Sequence, residues 1–119
     1  MNPYLAGLDL VKQHSGTSGQ SALAKCIFSL YNSDNAFSIA EVLSPLDNRY
    51  TAVVLAMVQA YADRGETEEL RQAGKYVFEN FPGLVKLSNA MYEARAEVYR
   101  KWDAEREQEN RRLCPEDYI

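Results

Sequence analysis

Histidine and cysteine are scarce in this chain of 119 residues, which has one histidine, His14, and two cysteines, Cys26 and Cys114. A single histidine cannot supply the paired Glu-x-x-His motifs of a di-metal helical bundle, and one cysteine with a distant histidine is a poor zinc-ligand set. Two well-separated cysteines do not form a disulfide framework. We therefore expect free thiols, no bound metal, no cofactor and a cytoplasmic protein.

Long apolar runs and basic residues are also lacking. The longest run, residues 52–58, is far shorter than the roughly 18 residues of a membrane span, and residues 1–4 lack the basic and apolar regions of a secretory signal. The net charge is −4, and −3 of it lies between residues 103 and 119. Non-specific nucleic-acid binding depends on a basic face, so we expect neither a membrane nor a nucleic acid as partner.

The residues that are present favour helices. Apolar residues make up 46% of the chain and charged residues 25%, a normal globular balance. Apolar side chains recur at i, i+3 and i+4 in most segments, as in an amphipathic helix, and none alternates with the period of a strand. The sequence predicts an all-α, single compact bundle of five main helices and one short helix over residues 1–112, then a short C-terminal tail at 113–119.

Polar residues and prolines indicate the helix ends. Asn2-Pro3, Asp47 and Thr67 are N-cap signals, and Ser38 with Glu41 has the spacing of a capping box. The Gly/Ser-rich residues 15–19 predict a loop, with the next helix beginning near Gln20. Because the connections are short, we expect sequential helices to be antiparallel neighbours.

The last helix is predicted from Pro82 to about Arg112. At roughly 45 Å it exceeds the roughly 35 Å width of a compact domain this size, so its charged end should project, fold back or meet another chain. Its core seam is predicted to consist of Leu84, Leu87, Met91, Ala94, Val98 and Trp102.

Aromatic and arginine side chains on this helix are the candidate functional residues, because such residues dominate interface hot spots. Two interpretations are open: a wide core face, which we favour at this point, and a surface for a dimer or protein partner. The candidate interaction surface consists of Tyr92, Arg95, Tyr99, Arg100 and Trp102.

Other candidate chemistry has a simpler structural explanation. We expect His14 in a solvent-exposed loop, without the partner that a catalytic base needs. The Gly16–Gly19 segment lacks the Gly-Lys-Ser/Thr ending of a phosphate-binding loop, so we expect a helix cap there. Cys26 should be a core residue, and Cys114 lies in the polar tail, with redox sensing as the alternative. The sequence predicts no catalytic residue.

Two family resemblances are present. Tyr61, Gly65 and Pro82 resemble part of one tetratricopeptide repeat by spacing. Leu70 and Gly74 depart from its small and aromatic positions, and a solenoid needs at least about three repeats. That likeness implies a helical hairpin near 61–82 and not membership of the repeat family.

The second resemblance covers residues 15–82. Gly19-Gln20-Ser21, Ala24, Leu30-Tyr31-Asn32, Phe37 and Leu46-Asp47 resemble a family of short, uncharacterised proteobacterial helical proteins that are often found on plasmids and integrated elements. That likeness implies a bacterial source and a helical fold, and it assigns no activity or site residue.

Three hypotheses of function follow. The leading one is a non-enzymatic adaptor or regulator that binds another protein or itself as a homodimer. The alternative is a nucleic-acid-associated transcriptional regulator with a helix-turn-helix within residues 20–64, which the few basic residues there oppose. The third is an enzyme of unknown type.

Overall fold

The all-α prediction is confirmed by a computed structural model, which describes residues 2–13 and 15–118. These residues form six α-helices and one 3₁₀ turn, with no strand among them. The helices are α1 (Pro3–Gln13), α2 (Ser18–Tyr31), α3 (Ile39–Leu43), α4 (Asn48–Arg64), α5 (Glu68–Asn80) and α6 (Pro82–Leu113), and the 3₁₀ turn is Pro115–Tyr118.

Local capping determines most helix starts, as the sequence predicts. Asp47 Oδ1 accepts a hydrogen bond from the Tyr50 N–H at 2.9 Å, and Thr67 Oγ1 accepts one from the Leu70 N–H at 3.3 Å. The Ser38 N–H donates to Glu41 at 2.8 Å while the Glu41 N–H donates to Ser38 Oγ at 3.1 Å, which completes the capping box. The hydrogen bond from the Ser38 N–H lowers the pKa of the Glu41 carboxyl.

Helix α2 begins at Ser18 rather than near Gln20, so the predicted loop is shorter. Thr17 Oγ1 caps α2 by accepting from the Gln20 N–H at 3.1 Å. The Gln20 side chain donates to the Val11 carbonyl at 2.7 Å and accepts from the Gly16 N–H at 2.9 Å. The bond to Val11 connects the end of α1 to the start of α2, and the other two stabilise the first turn of α2 despite the glycines.

The hydrophobic core surrounds α2, which packs against α1, α4 and α5. Its centre includes large side chains that are no more than 3% exposed, among them Tyr4, Leu8, Val11, Leu23, Ile27, Phe28, Met57, Leu70 and Val77. The five helices before residue 81 therefore form one packed body with a shared core.

The prediction that sequential helices are all neighbours is wrong for α4 and α5. Their principal contacts are with α1 and α2 rather than with each other, so residues 61–82 do not form a closely packed hairpin. Gly7 lets α1 approach α4 closely, because a Cβ at Gly7 would lie only 2.7 Å from Met57 Sδ. The Tyr4 hydroxyl also donates to the carbonyl of Gly65, in the connection from α4 to α5, at 3.3 Å.

Candidate interaction surface on the last helix

Helix α6 contacts the body through its first turns only. It packs on α5, and Ser88 is the one residue of α6 that is fully buried. Ser88 Oγ donates to Asn35 Oδ1 in the α2–α3 loop at 2.6 Å. From Glu97 onward every residue of α6 is exposed, so the helix extends past the body in a molecule measuring 61 × 29 × 25 Å.

The predicted core seam of α6 is wrong for Leu87, Val98 and Trp102. Leu84 and Met91 pack against the core, but Leu87 is 45% exposed, Val98 42% and Trp102 54%. Leu87 lies on the part of α6 that packs on the body but points away from it. Val98 and Trp102 are exposed because of length: a helix of 32 residues spans about 48 Å, and the body is too narrow to cover it. The aromatic residues of α6 therefore do not form a wide core face.

The spacing of the seam residues indicates what kind of surface this is. Leu84, Leu87, Met91, Ala94 and Val98 follow one another at intervals of three, four, three and four residues. These intervals place the residues on one face of the helix, as in an amphipathic helix or a coiled-coil seam. Leu84 and Met91 pack on the body from this face, and Trp102 follows Val98 after four residues, where a heptad would continue at Lys101. The spacing thus defines an apolar face, and the exposure of Leu87, Val98 and Trp102 shows that the body covers only part of it.

A shallow apolar groove follows the projecting part of this seam. It has a volume of about 280 Å³ and is lined by Ala94, Arg95, Val98, Tyr99 and Trp102. The rings of Tyr99 and Trp102 meet edge to face, with centroids 5.5 Å apart. Such ring pairs are energetically favourable, and this contact fixes the Tyr99 and Trp102 side chains relative to each other on the exposed surface of α6. We call Leu87, Met91, Ala94, Val98 and Trp102 the α6 seam.

The structure divides the five candidate residues between two sides of α6. Arg95, Tyr99 and Trp102 line the groove on the α6 seam. Tyr92 and Arg100 instead line a cleft of about 270 Å³ that faces the α2–α3 loop, and Arg95 and Tyr99 reach this cleft too. The predicted set is therefore a band around the helix and not a single patch.

The charged end of α6 projects as a helix held by local ion pairs. Glu107 and Arg111 approach to 3.6 Å, and Glu97 and Lys101 to 3.7 Å. Both pairs are exposed, so each contributes little, about 0.5 kcal/mol or less. After Leu113 the 3₁₀ turn folds back, and the Tyr118 ring lies 5.2 Å from the Arg111 guanidinium.

A second exposed apolar surface, which the sequence does not predict, lies on the body away from α6 and is formed mainly by residues of α2, α3 and α4. A groove of about 260 Å³ between α2, α3 and α4 is lined almost entirely by apolar atoms. Ile39 and Leu55, at 77% and 56% exposure, form part of it. Leu55 lies outside the main apolar stripe of α4, so only the fold relates it to Ile39. We call this surface the α3–α4 groove.

The described residues hold no metal-ligand cluster of three or more histidine, cysteine or carboxylate side chains. His14 lies outside the described residues. Cys26 is buried, as expected, and burial raises the pKa of its thiol to about 12. Cys114 is exposed. Within the described part of the chain, no helix is both long enough and apolar enough for a membrane span.

Comparisons of the chain with models of known protein families, with curated proteins and with solved structures gave no match.

Proposed function

We propose that this is a non-enzymatic protein that acts by protein–protein interaction and that its α6 seam binds the α6 seam of a second copy. The observation that carries the proposal is an apolar helix face on which Leu87, Val98 and Trp102 are 42–54% exposed, on a helix that extends past its own body. A row of exposed apolar side chains favours an interaction surface, and apolar residues at intervals of three and four suit another helix as the partner.

The order of large and small side chains along the seam is self-complementary. Ala94, the smallest member, lies at the centre, with Met91 and Val98 three and four residues away and Leu87 and Trp102 seven and eight residues away. A two-fold axis near Ala94 would place Leu87 opposite Trp102 of the second copy, and Met91 opposite Val98. A two-fold interface requires this pairing of i with j and of j with i.

Charge favours the antiparallel arrangement over the parallel one. In a parallel pair in register, Lys101 would meet Lys101 of the second copy, and Glu105 would meet Glu105. In an antiparallel pair centred on Ala94, the two Lys101 residues are about 14 helical residues apart along the axis, or about 20 Å. This separation exceeds a Debye length of about 8 Å at physiological salt. The two bodies then lie at opposite ends of the helix pair.

The test is the solution mass of the full chain and of two matched variants, measured by light scattering. The expected wild-type mass is about twice the 13.5 kDa of one chain. Trp102→Ser should yield monomer, because it removes the largest seam side chain, while Ile39→Ser should leave the dimer intact. A monomeric wild type at high concentration would refute self-association. A dimer broken by Ile39→Ser alone would assign the contact to the α3–α4 groove.

The alternative of a nucleic-acid-binding regulator gains no support from the arrangement of residues 20–64. Lys25, one of the few basic residues there, is engaged by Glu41 at 3.4 Å. Binding to duplex DNA that weakens steeply with salt remains the observation that would favour that alternative.

A further inference from the structure

A cleft of about 540 Å³ separates the end of α2 and the loop after it from α5 and the first half of α6. Its size lies in the range of small-molecule sites, roughly 300–1,000 Å³. It adjoins α6 on the side of Tyr92 and Ser88, whereas the α6 seam lies around the helix from it. A ligand here would therefore not occupy the proposed dimer contact.

The floor of this cleft is fixed by hydrogen bonds between distant segments. The Asn35 side chain accepts from Ser88 Oγ at 2.6 Å and donates to the Phe28 carbonyl at 3.1 Å. Ser88 is only 2% exposed. The loop, α2 and α6 are thus held together at one point at the base of the cleft.

Aromatic rings form the walls. Phe28 and Tyr31 lie with near-parallel rings, 6.5 Å between centroids and 19° between planes. Tyr31 packs directly on the backbone of α5 at Gly74, because a Cβ at Gly74 would overlap the base of the Tyr31 side chain. Opposite them, Phe78 of α5 and Tyr92 of α6 remain 55% and 45% exposed. Tyr31, Phe78 and Tyr92 therefore line one space, with Phe28 buried behind Tyr31, and about half of the Phe78 and Tyr92 side chains is exposed to water.

The only ionised side chain among the described residues that line this cleft is Asp34. The Asp34 N–H donates to Asn32 Oδ1 at 3.0 Å, which fixes the turn, while no described side chain pairs with its carboxylate. Asp34 lies where this cleft meets the neighbouring one, which it lines together with Arg95 and Arg100, although neither arginine forms an ion pair with it. The cleft thus combines aromatic rings and carboxamide groups with one carboxylate at its edge.

We propose that this cleft binds a small organic cation carrying a methylated ammonium group. Such a cation is weakly hydrated and interacts favourably with aromatic faces, as in the aromatic cages that recognise quaternary ammonium groups. The Asp34 carboxylate would supply the counter-charge. A neutral polar ligand, such as a sugar, would use the rings and carboxamides but would gain nothing from the charge of Asp34.

The experiment is a titration of the full chain with choline chloride, followed by backbone and side-chain amide NMR shifts. The matched neutral probe is 3,3-dimethylbutan-1-ol, which has the shape of choline without its charge, and sodium chloride controls for ionic strength. Choline should shift the amide signals of Asn32, Asn35 and Asn89. The neutral probe should bind at least about tenfold more weakly, a difference of roughly 1.4 kcal/mol.

Three variants make the assignment specific. Asp34→Asn and Tyr92→Leu should each weaken choline binding about fivefold to tenfold, because one removes the counter-charge and the other an aromatic wall. Asp103→Asn, which changes a carboxylate in the neighbouring cleft, should leave choline binding unchanged. Equal binding of the neutral probe, an unchanged affinity in Asp34→Asn, or no shift at millimolar choline would overturn the proposal.

Discussion

The α6 seam predicts that Val98→Asp abolishes dimerisation without unfolding the chain. Burying a whole valine side chain contributes about 1.5–3 kcal/mol, and Val98 is 42% exposed in the single chain. Burying this exposed part of Val98 in a dimer would contribute about 1 kcal/mol per copy. Because a two-fold interface contains Val98 of both copies, the substitution removes this contribution twice. Two aspartates in the seam add a desolvation cost of at least about 1–3 kcal/mol each.

Together these terms weaken the dimer by at least about 3 kcal/mol, or about 100-fold in dissociation constant. The stability of the single chain should change by about 0.5 kcal/mol or less, because the residue is exposed and valine and aspartate have similar helix propensities. Sedimentation equilibrium measures the first quantity, and urea unfolding of dilute protein measures the second.

Leu55→Asp is the matched control, since Leu55 is also apolar and is 56% exposed, but in the α3–α4 groove. It should leave the dissociation constant unchanged. The reasoning is refuted if Val98→Asp dimerises as tightly as the wild type. It is equally refuted if the loss of dimer comes with unfolding of the single chain, because Val98 would then support the fold.

Three further predictions concern orientation, packing and a buried thiol. In the antiparallel dimer the two Cys114 residues are about 60 Å apart, so mild oxidation should give no disulfide-linked dimer, whereas a parallel pair would cross-link readily. Gly74→Ala should lower the free energy of unfolding in urea, because overlap with Tyr31 costs about 1–3 kcal/mol against a helix-propensity gain of about 1 kcal/mol. Gly83→Ala, with no atom within 4 Å of its added Cβ, should be neutral or stabilising. Burial raises the pKa of Cys26 to about 12, so the unfolded thiol ionises first and stability should fall above about pH 9 by up to 1.4 kcal/mol per unit. Cys26→Ala should lack that component when unfolding is measured from pH 8 to 10.

Helix boundaries were largely predictable because caps are local. Ser38 with Glu41, Asp47 and Thr67 act on backbone groups three residues away, so their roles can be deduced from sequence spacing. The start of α2 was misplaced because its stabilising bonds include one from Gln20 to Val11, nine residues earlier. Local composition at 15–19 does not contain that information.

The packing of helices was less predictable, because periodicity shows that a face is apolar but does not show what covers it. The α6 seam and the stripe of α5 looked alike in the sequence, yet Val77 is fully buried while Val98 is 42% exposed. The prediction that α4 and α5 pack against each other is wrong for a related reason. Both helices pack against α1 instead, and the close approach of α1 to α4 requires Gly7, which is distant from α4 in the sequence.

The five candidate residues all lie on α6, and helix geometry explains why they divide between two sides of it. Tyr92 and Trp102 are ten residues apart, which at 3.6 residues per turn places them about 80° apart around the axis. Residues that are close together in the sequence of a helix therefore do not all lie on the same face of it. The cleft with Asp34 was not predictable, because it brings together α2, the loop after it, α5 and α6.

The most direct test of the account is the distance between the two copies of α6 in solution. A spin label at Glu97→Cys, at the edge of the α6 seam, would be combined with Cys114→Ser, while buried Cys26 stays unlabelled. Pulsed dipolar spectroscopy should find the two labelled positions close together, with backbones about 10–15 Å apart, whereas a label at Lys75→Cys on α5 should show a much longer distance. A Glu97 sample with no intermolecular coupling above background, at concentrations where the seam should be filled, would contradict the account.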